Sequence, residues 1–322
     1  MMNENDRKRL LREMLFARRF EDRCFEAYME HKIGGFLHLY PGQEACAHGV
    51  LEAARPGHDY VVASYRDHIH AIKCGVDPKS IMAELYGKET GCCKGRGGSM
   101  HIFSAEHRFM GGYAIVGGPF PIAAGIAKGI KIKGTDEICI VFIGDGAVSQ
   151  GTFHETMNMA GLWKLPLLVI CENNLYAIGT RIDRSTSGIN LAGKLSGYGI
   201  PAVQADGQDI EVVYRTAVEA VQHVRAGNGP YFIEFLTYRH RGHSMSDSKN
   251  YRTAEEEREW QQKDPINILK EHLIKEGMIT EEEFENMNKE IIKHIDENVI
   301  KYAEESPFPD VTEIEKYLFA EK

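Results

Sequence analysis

The chain has 322 residues, and its 43% hydrophobic content is enough to bury the core of one large domain or of two. Its 38 Lys and Arg against 47 Asp and Glu give a net charge of −9, and no long basic run is present, which excludes nucleic acid as an expected partner. No apolar stretch approaches the roughly 20 residues of a membrane span, and the first residues lack the apolar core of a signal peptide. We therefore expect a globular, soluble protein that is not secreted and makes no membrane contact.

The seven cysteines are odd in number and include no CxxC pair, so they fit a reducing compartment, the cytoplasm, better than a disulfide framework. We expect most of them in the core. The adjacent Cys92 and Cys93 could form a reactive or metal site. Neighbouring cysteines do not easily point into one pocket, however, so packing is the favoured interpretation.

Helices are predicted along the first part of the chain. Apolar residues at helical spacing predict an amphipathic helix over residues 6–31, which Gly34 and Gly35 end. A second helical stretch follows the Pro41-Gly42 turn and stops before Pro56. A third runs from Asp77 to Tyr86, with Asp77 as its cap and Pro78 at its first position.

A glycine-rich segment separates these helices from the next one. Residues 91–118 contain so many glycines that we predict no regular element there, and a loop of this length usually has a function. Residues 119–132 are predicted to be helical. Within them, Gly125 and Gly129 form a small-xxx-small pattern, which indicates either close packing inside the subunit or a contact with another subunit.

Two apolar runs in the middle of the chain predict two neighbouring parallel strands. These runs are residues 138–143 and 165–171, and a predicted helix over 150–162 connects them as a right-handed crossover. Asp145 follows the first strand and Asn174 follows the second, 29 residues later. Because open parallel sheets bind ligands at the carboxyl ends of their strands, we expect both side chains to face one crevice.

The residue types at this crevice predict a magnesium-diphosphate site. A carboxylate, an amide oxygen and a backbone carbonyl beyond Asn174 are hard oxygen ligands that suit Mg²⁺. Gly144 and Gly146 allow phosphate to approach the backbone. Alternatively, Asp145 caps the crossover helix and the two asparagines only form a turn. A dinucleotide loop is disfavoured because Gly144, Gly146 and Gly151 do not fit G-x-G-x-x-G.

The α/β alternation continues to a strand at residues 231–237, a polar segment at 240–252 and charged amphipathic helices at 254–303. We predict an α/β fold with a mainly parallel sheet and helices on both faces. The whole chain, residues 1–322, is expected to form a single domain, with a helical N-terminal segment over about 1–60 and a helical C-terminal extension over about 254–322.

The Gly144-Asp145-Gly146 motif and the later Asn173-Asn174 pair resemble the signature of thiamin-diphosphate enzymes. Further segments are similar to the alpha subunits of the pyruvate dehydrogenase component of 2-oxo acid dehydrogenase complexes, and the resemblance runs from about residue 6 to about residue 300. These segments are Gly35–Ala45, Ser64–His68, Lys94–His101, Ile115–Gly118 and Tyr238–Asp247.

This resemblance implies a thiamin-diphosphate-binding fold with thiamin diphosphate and Mg²⁺ as cofactors. It assigns the metal to the side chains of Asp145 and Asn174 and to the backbone carbonyl of Tyr176. The implied cofactor contacts are Tyr65, Arg66, Ala114, Val116, Asp145, Gly146, Ala147, Asn174, Tyr176 and His243. Ala114 stands where the family often has glycine, so the backbone there is expected to differ slightly.

The resemblance also implies catalytic residues. His243 matches a histidine that assists acyl transfer, His68 and His38 match histidines near the substrate channel, and Gln150 is a weaker candidate for a contact with the substrate carboxylate. In some family members the region of Ser244 is switched by phosphorylation. For this chain we favour unregulated serines.

The implied reaction is oxidative decarboxylation of a small 2-oxo acid, with transfer of the acyl group to the lipoyl arm of a dihydrolipoyl acyltransferase, and pyruvate is the favoured substrate. A glutamate that contacts the aminopyrimidine has no candidate in this chain, so a beta subunit is expected to supply it in an alpha-two beta-two heterotetramer. Acetoin and branched-chain 2-oxo acid dehydrogenases, a transketolase-like ketol transfer and a noncatalytic scaffold remain as alternatives.

Overall fold

The computed structural model of the chain describes residues 2–313 and 315–318. The predicted domain also includes residues 1, 314 and 319–322, which lie outside the described residues, and its boundaries stay a prediction. The α-helices are α1 (Glu4–Met29), α2 (Glu44–Ala53), α3 (His68–Lys73), α4 (Pro78–Leu85), α5 (Pro119–Lys133), α6 (Gly151–Trp163), α7 (Ile182–Ser185), α8 (Ile210–Arg225), α9 (Ala254–Gln261), α10 (Pro265–Lys275), α11 (Glu281–His294) and α12 (Lys301–Glu305).

The strands are β1 (Tyr60–Ser64), β2 (Phe109–Tyr113), β3 (Cys139–Gly144), β4 (Leu167–Asn173), β5 (Tyr176–Ala177), β6 (Thr180–Arg181), β7 (Ala202–Asp206) and β8 (Tyr231–Leu236). Six of them form one sheet in the order β2-β1-β3-β4-β8-β7, and every pairing in this sheet is parallel. The predicted parallel α/β fold is therefore confirmed. None of the described helices is both long and apolar enough to cross a bilayer.

Hydrophobic side chains cover both faces of the sheet. Successive residues of β3 alternate between two clusters, so that Ile140 belongs to the cluster that contains Leu10 of α1 and Val213 of α8. Val141 belongs to the other cluster, which contains Phe120 of α5 and residues of α6. Because side chains alternate across a strand, a continuous apolar run is the pattern of a strand that is buried on both faces.

The helices predicted in the first half of the chain are confirmed, and their ends follow capping chemistry. At the start of α1, Asn3 accepts the backbone N–H of Asp6 and the Asp6 side chain accepts the N–H of Asn3. At the start of α4, the Asp77 carboxylate accepts the N–H of Lys79 at 2.9 Å, and Pro78 occupies the first helical position.

The prediction that residues 91–118 contain no regular element is wrong. They include strand β2 at the edge of the sheet and a short 3-10 turn at Gly98–Met100. A Cβ atom at Gly112 would lie 1.8 Å from the carboxylate of Asp67, and one at Gly111 would lie 2.2 Å from the ring of Phe103. Glycine is needed at these positions because other side chains lie against strand β2. Since glycine has a low propensity for strands, the sequence pattern did not predict this strand.

The interpretation that Gly125 and Gly129 allow close packing inside the subunit is also wrong. A Cβ atom at either position would have no heavy atom of the described chain within 4 Å, and Gly125 is exposed. A contact with another subunit stays a prediction for this face of α5.

Candidate cofactor and metal site

A cavity of about 250 Å³ lies at the carboxyl ends of the strands. Four of the predicted ligands that line it follow four different strands: Arg66 follows β1, Val116 follows β2, Asp145 follows β3 and Asn174 follows β4. These four strands are consecutive in the sheet, so chain segments that are more than 100 residues apart in sequence meet at one edge.

Asp145 and Asn174 each direct an unpaired oxygen into this region. Asp145 Oδ2 and Asn174 Oδ1 are buried and have no hydrogen-bond partner among the described residues. The Asn174 Nδ2–H donates to Oε1 of Gln43 at 3.0 Å, and with this amide orientation Asn174 Oδ1 is the atom left without a partner. No side-chain cap bond is formed at the start of α6, where Gln150 is the N-cap, so Asp145 does not cap that helix.

Burial raises the pKa of Asp145 to about 6, although its own N–H, the Arg239 charge and the N–H of Asn174 act in the opposite direction. Buried unpaired oxygens cost free energy unless a ligand satisfies them. Two neutral or anionic oxygens in this arrangement fit a hard divalent cation such as Mg²⁺.

The backbone beyond Asn174 is strained where it turns back over the cavity. Leu175 and Ile178 have φ angles of +72° and +54°, which non-glycine residues rarely adopt and which are least favourable for β-branched isoleucine. The Tyr176 hydroxyl donates to Glu256 at 2.9 Å, so the side chain of Tyr176 is held by α9. Gly146 is required here, because a Cβ atom would lie 2.6 Å from Cβ of Ala177.

Two buried guanidinium groups, those of Arg66 and Arg239, line the same cavity. Arg66 donates to the carbonyls of Leu39 and His243, the latter at 2.8 Å. Neither arginine forms an ion pair with a carboxylate of the described chain, and burial lowers the pKa of Arg66 and lowers that of Arg239 to about 10. Buried charges are normally paired, so this pair of cations fits an anion such as a diphosphate.

A cluster of aromatic rings lies beside Arg66. The rings of His38 and Tyr65 are 4.6 Å apart, those of His38 and His243 are 5.1 Å apart, and those of Tyr65 and His243 are 5.5 Å apart, measured between centroids. Burial, together with the Arg66 charge, lowers the pKa of His243 to about 3 and that of His38 to about 2. Both imidazoles are therefore neutral at pH 7.

The tautomer of His243 follows from its neighbour Arg239. The guanidinium Nη1 lies 3.4 Å from Nδ1 of His243, a long hydrogen bond. Because arginine only donates, Nδ1 must accept, and the proton of the neutral ring is on Nε2.

His68 is placed differently from the other two histidines. It is fully buried, whereas His243 is half-buried, and none of the three histidines is among the residues that line the cavity. Its Nδ1 lies 3.1 Å from the Glu21 carboxylate and its Nε2 lies 2.9 Å from the hydroxyl of Ser99, which also accepts the backbone N–H of His38 at 3.5 Å. Although burial lowers the pKa of His68, the Glu21 carboxylate outweighs it, and the net shift is upward.

Most of the other predicted residues line the cavity, and one lies beside it. Tyr65, Gly146, Ala147, Gln150 and Tyr176 line it, whereas Ala114 is half-buried beside Val116 and does not. A second cavity of about 560 Å³ lies against α1 and the 240–252 segment, and it contains none of the predicted metal or cofactor ligands.

Several cavity residues were not predicted as site residues from the sequence, among them Gln43, Glu172 and Arg239. Gln43 and Arg239 lie inside the segments that carry the family resemblance, which was the available signal. Glu172 directly precedes the two asparagines, and its buried carboxylate accepts the hydroxyl of Tyr40 and lies 3.3 Å from Nε2 of His70. Glu172 is thus already bonded inside the chain.

The fold and the cavity together define a parallel α/β protein with a crevice at the carboxyl ends of its strands. The model of the family described as "Dehydrogenase E1 component" matches residues 12–312, and the chain belongs to this family. Membership implies thiamin diphosphate as the cofactor.

Curated relatives cover nearly the whole chain. The chain is 42% identical over 319 residues to the pyruvate dehydrogenase E1 component subunit alpha of Porphyra purpurea, covering 97% of this chain and 92% of the relative. It is 44% identical over 306 residues to the protein of the same name in Rickettsia felis, covering 94% and 92%. Identity to the Rhizobium meliloti protein of that name is 42% over 313 residues, covering 97% and 89%.

Proposed function

We propose that this chain is the alpha subunit of a thiamin-diphosphate-dependent pyruvate dehydrogenase, which decarboxylates pyruvate and transfers the acetyl group to the lipoyl group of a dihydrolipoyl acyltransferase. The relatives named as alpha subunits of pyruvate dehydrogenase support this proposal. The structural observation that carries it is that one cavity contains two buried oxygens without a partner in the described chain, on Asp145 and Asn174. The guanidinium groups of Arg66 and Arg239, which form no ion pair with the described residues, line the same cavity.

The metal is held by Asp145 Oδ2, Asn174 Oδ1 and the backbone carbonyl of Tyr176. Arg66 and Tyr65 contact the diphosphate, and the backbones of Gly146 and Ala147 complete that contact. When bound, thiamin diphosphate supplies the carbanion that adds to the 2-oxo group and the electron sink for decarboxylation. The protein contributes a buried, oriented site that excludes water.

His243 is the residue proposed to assist acyl transfer. Its Nε2–H is free to donate to a sulfur of the incoming lipoyl group, because Arg239 occupies Nδ1. His38 is expected to orient His243 through its ring contact, and Gln150 is expected to reach the substrate carboxylate. Since His68 is fully buried and contacts Ser99, we propose that it acts by holding Ser99 and the His38 backbone in position.

A beta subunit is proposed to complete the site in an alpha-two beta-two heterotetramer in the cytoplasm. Among the cavity-lining residues in the described part of the chain, Asp145 and Glu172 carry the only carboxylates, and Glu172 is bonded to Tyr40. The glutamate that contacts the aminopyrimidine therefore has no free candidate here. Ile115 and Ile178, which are 76% and 63% exposed beside the cavity, offer an apolar surface for that partner.

Steady-state kinetics of the chain, expressed together with its beta subunit, test this function. We expect kcat/KM for pyruvate to exceed that for acetoin and for branched 2-oxo acids by at least about 10-fold, because small pocket contacts discriminate by about 1–3 kcal/mol each. A preference for acetoin or a branched 2-oxo acid would show that the proposed substrate is wrong, while the proposed reaction class would stand. No decarboxylation and no heat on titration with thiamin diphosphate and Mg²⁺ would indicate a scaffold instead.

A further inference from the structure

Cys92 and Cys93 form a thiol pair outside the cofactor cavity. Their two sulfurs and a carboxylate oxygen of buried Glu84 all lie within 4.8 Å of one another. The expectation that adjacent cysteines would not share one pocket is therefore wrong for this pair. All seven cysteines lie in the described chain, and these two are the only ones that are not buried.

The Glu84 carboxylate is already saturated and does not make this cluster a metal site. Its Oε2 accepts the backbone N–H groups of Cys93 and Gly95, both at 2.8 Å. Its Oε1 accepts those of Gly97 at 2.7 Å and Gly98 at 3.1 Å. Four donors occupy the lone pairs of one carboxylate, and the two thiols alone are too few ligands for a structural zinc ion.

The two thiols differ in their surroundings. The sulfur of Cys93 accepts the backbone N–H of Phe103 at 3.2 Å, a contact that stabilises a thiolate. The pKa of Cys93 is lowered by the Cys92 thiol and by this N–H, although burial and the Glu84 charge act against them. The same contact between the thiols raises the pKa of Cys92. The exposed cations Lys94 and Arg96 flank the pair.

We propose that Cys92 and Cys93 are a thiol–disulfide exchange site for small-molecule disulfides, with Cys93 as the attacking sulfur and Cys92 as the resolving sulfur. The Cys93 thiolate bonds to one sulfur of the small disulfide, whose other half leaves as a thiolate and takes up a proton. Cys92 then loses its proton to solvent, attacks the Cys93 sulfur and releases the second small thiol. The net reaction reduces one small disulfide to two thiols and oxidises the chain by two electrons.

The product disulfide is expected to be labile. The described chain has no cis peptide bond, and consecutive Cα atoms across a trans peptide are about 3.8 Å apart, closer than the roughly 5.5–6 Å of an ordinary disulfide. Strained disulfides are reduced readily and serve as reversible rather than structural bonds.

Ring closure would act first on the loop that Glu84 anchors. The N–H of Cys93 is one of the four donors to that carboxylate, so a change in the Cys92–Cys93 backbone loosens the contacts to Gly95, Gly97 and Gly98. We expect faster amide hydrogen exchange at these three glycines in the oxidised form. This effect does not depend on the proposed enzymatic function.

Peptide mass spectrometry tests the exchange site. The full-length chain, purified with its beta subunit in the reduced state, is treated with glutathione disulfide, and the remaining thiols are alkylated after denaturation. We expect the peptide that contains Cys92 and Cys93 to lose two hydrogens and carry no glutathione, and to recover fully with mild thiol. The five buried cysteines are the internal control.

Two serine variants separate the roles of the thiols. In Cys92→Ser, glutathione should remain attached to Cys93, whereas Cys93→Ser should react at least about 10-fold more slowly. Unchanged circular dichroism shows that both variants fold, and Cys93→Ala replaces Cys93→Ser if the latter does not. Stable glutathione on the wild-type peptide without ring formation, or equal reactivity of the two variants, would overturn the proposal.

Discussion

Asp145 and Asn174 directly follow two adjacent parallel strands, and each has one buried side-chain oxygen with no partner among the described residues. The register explains their proximity, since Gly144 of β3 lies opposite Glu172 of β4, so the two strands end at nearly the same level. Two unsatisfied oxygens lower the stability of the empty chain, and a ligand that binds both would offset this cost.

Asp145→Asn should make the cofactor-free chain more stable and at the same time weaken cofactor binding. Burial raises the pKa of Asp145 to about 6, so at pH 7 the folded chain ionises this group at a cost that the amide avoids. We expect the Tm of the cofactor-free chain to rise by about 2 °C or more, while affinity for thiamin diphosphate with Mg²⁺ falls at least about 100-fold. Thermal melts and calorimetry measure the two effects. Asp183→Asn, at an exposed position, should change neither.

Arg66→Lys tests the anion site. Lysine retains the charge but loses the planar fork, which bonds the carbonyls of Leu39 and His243 and is expected to contact a diphosphate. We expect affinity for thiamin diphosphate to fall by about 10-fold or more. Binding of inorganic pyrophosphate should weaken in parallel, whereas the exposed control Arg215→Lys should bind both normally. Unchanged pyrophosphate binding in Arg66→Lys would place the anion elsewhere.

His243→Asn should affect only one half of the proposed reaction. Decarboxylation measured with an artificial electron acceptor should remain within a few-fold of wild type, because it does not require the lipoyl group. Acetyl transfer to a lipoyl domain should fall by about 10²–10⁴-fold, the usual contribution of a proton-transfer group. His154→Asn, an exposed histidine on α6, is the control. Equal loss in both assays would argue that His243 only supports the fold.

Glu21→Gln breaks a buried ion pair with His68. The two side chains are 1% and 0% exposed, so the substitution removes the main charge partner of His68, and we expect a loss of about 3–5 kcal/mol in the free energy of unfolding. Because the folded pKa of His68 is raised, the ion pair contributes fully below about pH 6.5 and its contribution is lost as the pH rises through the folded value. Denaturant unfolding should show the largest difference from wild type at low pH. Glu26→Gln, an exposed glutamate of α1, should differ little.

The parts of the fold that could be predicted are those with strong local patterns. The runs that form β3 and β4 are continuously apolar because both faces of these strands are buried, and the spacing from Asp145 to Asn174 then indicates the crevice. Strand β2 was missed because Gly111 and Gly112 make room for Phe103 and Asp67, a requirement that only the tertiary structure reveals.

Features that depend on side-chain contacts of the folded chain could not be predicted. Gln43 contacts Asn174 across 131 residues of sequence, and the tautomer of His243 depends on its contact with Arg239. The shared pocket of Cys92 and Cys93 depends on Glu84, which gathers the glycine-rich backbone around one carboxylate. In each case the role of a residue depends on a partner that only the folded chain brings next to it.

Asp67→Asn should stabilise the chain in a pH-dependent way. Asp67 is fully buried, neither of its carboxylate oxygens has a hydrogen-bond partner in the described chain, and burial raises its pKa to about 7. The unfolded chain releases this proton near pH 4, so between about pH 4 and 7 the folded state binds more protons and wild-type stability falls as the pH rises. Asparagine removes this dependence. The advantage of Asp67→Asn should therefore be small near pH 4, grow to at most about 4 kcal/mol near pH 8, and be absent in Asp183→Asn. Thermal melts across this range measure it, and a variant that is less stable than wild type at pH 8 would show that Asp67 is ionised and bound to a partner.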